Sequence, residues 1–213
     1  MDVTRAAADL VAEASAGAGD RFAVALTGGS TPQPVHRLLA SDEYRGEIDW
    51  ARWCVFFGDE RRVPLEDSRS NYRNAADNLL DHVPIPRGQI HPLTDADQYE
   101  ALLRAFFGEA PRFDLLMLGM GDDGHTASLF PGSVSLLETE RWVIAPPDVV
   151  EGMSRLTLTL PALNSARRTV FLVAGGAKAE PLRRISEGEQ LPAAMVDHAE
   201  WLVDPAAAVG FGV

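Results

Sequence analysis

The sequence predicts an α/β fold, a single α/β/α sandwich on a mainly parallel, Rossmann-like sheet with a few short extra strands near its edge. Three observations carry this. Four short runs are apolar on both faces and each closes on glycine: RFAVALTGG over 21–29, WCVFFGDE over 53–60, FDLLMLGMG over 113–121 and TVFLVAGG over 169–176. Strands covered on both sides belong inside a parallel sheet. Stretches with apolar residues three and four apart separate these runs, as right-handed crossovers require. No repeat, low-complexity tract or Gly/Ser-rich linker marks a boundary, so residues 1–213 read as one domain.

The elements follow in order. MDVTRAAADLVAEASAGAG carries early acids and reads as an amphipathic helix rather than a secretion signal. The first strand ends in Gly28–Gly29, and Pro32 takes a first helical position before PVHRLLASDEY. The second strand leads into the polar loop RRVPLEDSRS over 61–70, and loops placed after strands are where function collects. SNYRNAADNLLDHV and DQYEALLRAFFGEA read as helices before the third strand. WVIAPP and EWLVD look like short extra strands. RLTLTLPALN alternates over 155–160, which suits a strand with one wet face near the sheet edge. The fourth strand precedes the helical KAEPLRRISEGE.

Composition excludes several classes. Nineteen basic against thirty-one acidic residues give a net charge of -12, which disfavours nucleic acid. No apolar stretch reaches the roughly 18 residues of a membrane span, so a cytoplasmic protein with no membrane partner is expected. Cys54, the single cysteine, sits in an apolar run and reads as a buried, inert thiol.

In an open parallel sheet, ligands bind outside the carboxyl ends of the strands, where LTGGSTP, GDERRVP, GMGDDGHTASLFP and GGAKAE all fall. A glycine turn feeding a helix, with Ser30 and Thr31 following Gly29, has the form of a phosphate cradle; a capped helix without a ligand is the other reading. The lysine of a nucleotide P-loop is absent. Gly119-x-Gly121-x-x-Gly124 matches the dinucleotide fingerprint by letter, but Asp122 and Asp123 would face a pyrophosphate and no long helix follows. The glycines instead permit a sharp turn that projects Asp123 and His125 into a cleft, where a histidine beside a carboxylate serves as a general base. Asp59, Glu60, Arg61 and Arg62 follow a strand directly, and one arginine of the pair is placed to grip a phosphate. Lys178 repeats the arrangement at the next strand end, and Arg155 opens the alternating strand. His36, His82, His91 and His198 read as surface or capping residues, and the four tryptophans as packing. No His and carboxylate set has metal-ligand spacing, and the G-x-S-x-G of serine hydrolases is absent.

LTGGSTP, GDERRVP with SNYRNA, LGMGDDGHTASLFPG and LTLTLPALNSARRTVFLVAGGAKA resemble, in order and along nearly the whole chain, the 6-phosphogluconolactonase family. The resemblance implies hydrolysis of 6-phospho-D-glucono-1,5-lactone, the second step of the oxidative pentose phosphate pathway, on a fold shared with glucosamine-6-phosphate deaminase. That deaminase is the alternative activity. Its family carries a Glu-Pro pair after the shared Asp-Gly-His, where this chain has Phe130–Pro131, and phenylalanine transfers no proton. A sugar-phosphate-sensing domain without catalysis is a second alternative, and it would have no need of His125. Family members usually carry a strand before the first helix that this sequence lacks, so one edge strand is expected to be missing.

For such a substrate the phosphate anchor is assigned to Gly29, Ser30, Thr31, Arg61 and Lys178, with Arg155 as a further candidate whose other reading is a surface residue. His125 takes the proton from the attacking water, and Asp123 or Asp59 orients the imidazole or binds sugar hydroxyls. Backbone N–H groups around Gly121 and Gly124 are the expected oxyanion donors, and Asn71 and Tyr72 are rim contacts. An activated lactone opens without redox or metal help, so no cofactor is expected. The partner is the small sugar-phosphate lactone, and the chain is expected to be a monomer or weak homo-oligomer.

Overall fold

The structure, a computed structural model, describes residues 2–211. Eight strands run β1 Phe22–Leu26, β2 Trp53–Phe57, β3 Asp59–Arg61, β4 Leu115–Gly119, β5 Val143–Ile144, β6 Arg155–Leu158, β7 Thr169–Val173 and β8 Glu200–Val203. The eight α-helices are α1 Val3–Gly17, α2 Pro32–Leu39, α3 Asp42–Arg45, α4 Asn71–Ala75, α5 Ala96–Phe107, α6 Leu160–Leu163, α7 Ala179–Ser186 and α8 Pro205–Ala208.

The four predicted apolar runs form four of the strands of a five-stranded parallel sheet of order β2-β1-β4-β7-β8. Every residue of β1, β2 and β7 is buried, as strands with helices on both faces must be. The short run at EWLVD supplies the edge strand β8, and its residues are correspondingly only half covered or exposed. The chain places β2 on one side of β1 and β4, β7 and β8 on the other. The order therefore reverses between β1 and β4, and a crevice opens there at the carboxyl ends of the strands.

β3, β6 and β5 form a separate antiparallel sheet. Gly58 joins the two sheets: its N–H donates to the Leu26 carbonyl (3.0 Å), extending the main sheet, while its carbonyl accepts from Leu158 N–H (2.8 Å). The strand at 155–158 thus lies in the middle of the second sheet, not at the edge of the first, and all four of its residues are buried. The expected wet face is absent because its polar groups are satisfied internally. Thr157 Oγ1 donates to the Leu158 carbonyl (2.9 Å) and Thr159 Oγ1 to the Arg141 carbonyl (2.6 Å).

Below the crevice the core is aromatic around Phe56, whose ring lies 5.0 Å from Phe106 and 5.5 Å from Phe113. Cys54 is buried there with its thiol pushed up by burial, in keeping with an inert role. His36 departs from expectation. It sits inward on α2, 1% exposed, and burial holds its pKa down at about 4. His91 is stacked on Phe56 at 4.8 Å rather than free at the surface.

Candidate active site

The crevice between β1 and β4 holds a cavity of about 240 Å³. Its walls come from four strand ends: Gly28 to Thr31 after β1, Asp59 and Arg61 after β2, Gly121, His125 and Ala127 after β4, and Lys178 after β7. A smaller cavity of about 140 Å³ adjoins it through Asp59, Arg61 and His125 and reaches Arg155. An open recess of about 560 Å³ on the other side shares His125 and Lys178 and adds Asp122, Asp123 and Asp148. Imidazole, guanidinium and ammonium groups from separate crossovers therefore line one continuous space.

The histidine loop is built around a close approach. His125 Nδ1 lies 2.6 Å from Asp123 Oδ1, and the same oxygen accepts His125 N–H at 3.0 Å. The carboxylate holds Nδ1 as the protonated nitrogen, so Nε2 carries the free lone pair. Burial alone would raise the Asp123 carboxyl; the two bonds from His125 and the imidazole charge outweigh it and hold Asp123 below the usual carboxylate range. Gly121 makes room for this pair, because a Cβ there would stand 2.1 Å from His125 Nδ1. Phe130 closes the far side of the ring at 4.6 Å.

The amides expected to serve an oxyanion are committed elsewhere. Gly121 N–H donates to the His125 carbonyl (2.9 Å) and Gly124 N–H to the Gly121 carbonyl (3.1 Å), bonds that the sharp turn needs to close. Neither glycine supplies a free donor.

Asp59 does not touch the imidazole. Its Oδ1 accepts from Asn71 Nδ2 (3.0 Å) and its Oδ2 from Ser128 Oγ (2.7 Å), which fix the carboxylate at the cavity wall. Strand alternation turns Glu60 the opposite way. Its buried carboxylate accepts from the N–H groups of Arg61, Asn71 and Tyr72 and from the Ser70 hydroxyl, pinning the start of α4 beneath β3. Burial pushes its pKa up, against those four bonds. Asn71 is thus a buried wall residue rather than a rim contact. Tyr72 packs on Phe57 at 5.8 Å.

Of the arginine pair, Arg61 faces the cavity and Arg62 is exposed outside it. Arg61 and Arg155 are directly opposed across β3 and β6. Burial, then repulsion by Arg61, lowers the pKa of Arg155, and the Nε of each lacks a partner among the described residues. The two opposed guanidinium groups share their cavity with Asp59 and with Glu151, 3.7 Å from Arg155, and their free Nε groups can take a further anion. Lys178 pairs with Asp122, an exposed carboxylate at the recess. Among the described residues, no backbone N–H from 28 to 31 donates to a protein acceptor, and Thr31 makes no side-chain capping bond to α2. The amino end of that helix is open to a ligand. Glu60, Ser128 and Asp122 had no signal in the sequence beyond their place in motif loops. Among the described residues, no group of three or more His, Cys, Asp or Glu side chains stands together as metal ligands.

Residues 1–203 match the family model described as glucosamine-6-phosphate isomerases/6-phosphogluconolactonase. The chain is 40% identical over 200 residues to 6-phosphogluconolactonase of a Synechocystis species, covering 85% of this chain and 81% of that protein. It is 41% identical over 230 residues to 6-phosphogluconolactonase of Homo sapiens, with 98% and 89% covered. The crystal structure of 6-phosphogluconolactonase from Thermotoga maritima superposes with a TM-score of 0.84 at 31% identity, over 95% of each chain. This chain belongs to the glucosamine-6-phosphate isomerase/6-phosphogluconolactonase family.

Proposed function

We propose that this chain hydrolyses 6-phospho-D-glucono-1,5-lactone to 6-phospho-D-gluconate, the pentose phosphate pathway step named for its relatives. One observation carries the reading: a histidine with Nδ1 held by Asp123 shares a cavity with Arg61, Lys178 and the open amides of residues 28–31. The phosphate sits on those amides and the Ser30 and Thr31 hydroxyls, with Arg61 and Lys178 against it and Arg155 lending charge from behind. Anchoring one end of the ring presents the ester carbonyl to His125. Nε2 takes a proton from water as it attacks C1, and Asp59 accepts hydrogen bonds from ring hydroxyls. Nothing in this sequence of steps calls for a cofactor. The net charge of -12 disfavours nucleic acid, and a small anionic partner has to be drawn in against that field by the local cations Arg61 and Lys178. Among the described residues, no helix is long and apolar enough to cross a membrane. We read residues 1–213 as one catalytic domain, working in the cytoplasm as a monomer or weak homo-oligomer.

The deaminase alternative is disfavoured by one contact. Phe130 lies against the imidazole where an acid for ring opening would have to stand. Assaying lactone hydrolysis, corrected for the spontaneous rate, beside ammonia release from glucosamine 6-phosphate tests the choice. Lactonase activity without ammonia is expected, and the reverse pattern rejects the proposal.

A further inference from the structure

Attack of water on an ester needs a donor for the oxygen on which charge develops, and the Gly121 and Gly124 amides are spent inside their own loop. The tight turn after His125 offers another. Thr126 and Leu129 face each other as an antiparallel bridge: Leu129 N–H donates to the Thr126 carbonyl at 2.9 Å and Thr126 N–H to the Leu129 carbonyl at 3.4 Å. Ala127 and Ser128 are the two central residues.

Ala127 has φ 48°, a left-handed conformation that turns of this kind normally give to glycine. Such strain persists where neighbours over-determine it, and it clusters at functional sites. Here the neighbours are fixed on both sides. Thr126 Oγ1 donates to the Gly119 carbonyl (2.9 Å), Ser128 N–H to Thr157 Oγ1 (3.1 Å) and Ser128 Oγ to Asp59 Oδ2 (2.7 Å). Between them, Ala127 lines both the main cavity and the smaller one, next to His125 and Arg61 in each. Among the described residues its N–H donates to no protein acceptor.

We propose that the Ala127 backbone amide is the oxyanion donor of this site, an assignment that rests on the lactonase reading above. As the water oxygen bonds to C1, its proton passes to His125 Nε2 and the C1=O π pair moves onto the carbonyl oxygen, where the Ala127 N–H meets it. On collapse the C1=O bond re-forms, the bond from C1 to the ring oxygen breaks, and the imidazolium returns its proton to that oxygen as the C5 hydroxyl. The acid product then loses its own proton to solvent. The turn closes through Thr126 and Leu129, so the Ala127 amide takes no part in its hydrogen bonds and is left for the substrate.

Replacing Ala127 by L-lactic acid converts one amide to an ester and deletes this N–H. The kcat for 6-phosphogluconolactone should fall roughly 10²- to 10³-fold with KM changed less than about 3-fold. The ester also weakens the Thr126 carbonyl as an acceptor. Leucic acid at position 129, which deletes the N–H bonding that carbonyl, controls for this and should keep kcat within about 5-fold. A loss below about 10-fold in the lactate variant, or an equal loss in the leucic acid variant, overturns the assignment. An unmodified chain that hydrolyses no lactone removes the function reading, and the assignment with it.

Discussion

His125 Nδ1 and Asp123 Oδ1 lie 2.6 Å apart, two residues from each other in a loop where the ring packs into the space left by the missing side chain of Gly121. The bond decides which imidazole nitrogen is basic. In Asp123→Asn the new amide can offer its NH₂ to Nδ1 and favour the tautomer that carries the proton on Nε2. Turnover should fall about 10²-fold with little change in KM, measured by steady-state lactonase kinetics. Wild-type turnover would show that the ring does not need this partner.

Gly121→Ala tests the same geometry from the other side. A methyl group 2.1 Å from Nδ1 must push the ring or the loop away. Displacing a catalytic group by about an ångström costs on the order of 10²-fold in rate, so kcat should drop by roughly that factor. A variant with unchanged kcat would mean that the loop relaxes freely and the ring is not held as described.

The cationic groups should affect binding more than chemistry. Arg61→Ala and Lys178→Ala should raise KM for the phosphorylated lactone far more than for unphosphorylated gluconolactone, and equal effects on both would count against a phosphate anchor. Asp122→Asn should act oppositely, because it releases Lys178 from a carboxylate that competes with the substrate. Exposed pairs are worth at most about 1 kcal/mol, so KM should fall by no more than roughly 5-fold.

His36 predicts an acid-sensitive fold. Its folded pKa of about 4 is below the unfolded value of 6.5, so the unfolded chain binds the proton first as pH falls. Stability from this group is complete above the unfolded value and is lost between there and about pH 4. The loss from pH 7 to pH 4.5 should be about 2 to 3 kcal/mol. His36→Leu should remove that portion of the pH dependence in urea melts. Parallel curves for the two proteins would show that the buried ring does not govern it.

What the sequence disclosed, and what it withheld, follows from which forces are local. The runs around Val24, Val55, Met117 and Phe171 are apolar on both faces, which only a covered parallel strand explains, and the motif loops after them had to share one rim. The placement of His125, Arg61 and Lys178 was legible for that reason. The second sheet was not: the alternation of Leu156, Thr157 and Leu158 reads equally as a wet face or as hydroxyls satisfied in the interior, and only the partners Leu158 and Ser128 decide. Asp123 and Asp59 were equivalent in sequence because the role of Asp59 depends on donors distant along the chain, Asn71 and Ser128. The commitments of the Gly121 and Gly124 amides are set by how the loop closes, and the burial of His36 by helix packing. Neither leaves a mark in composition or spacing.

The central claim is that His125 is the base and that the cations opposite it only hold the substrate. Steady-state kinetics of His125→Ala on 6-phosphogluconolactone, with 6-phosphogluconate affinity measured in parallel by calorimetry, test this most directly. Turnover should fall roughly 10²- to 10⁴-fold while product affinity stays within about 3-fold of the unmodified chain. Undiminished turnover, or a loss accounted for entirely by weakened binding, would contradict it.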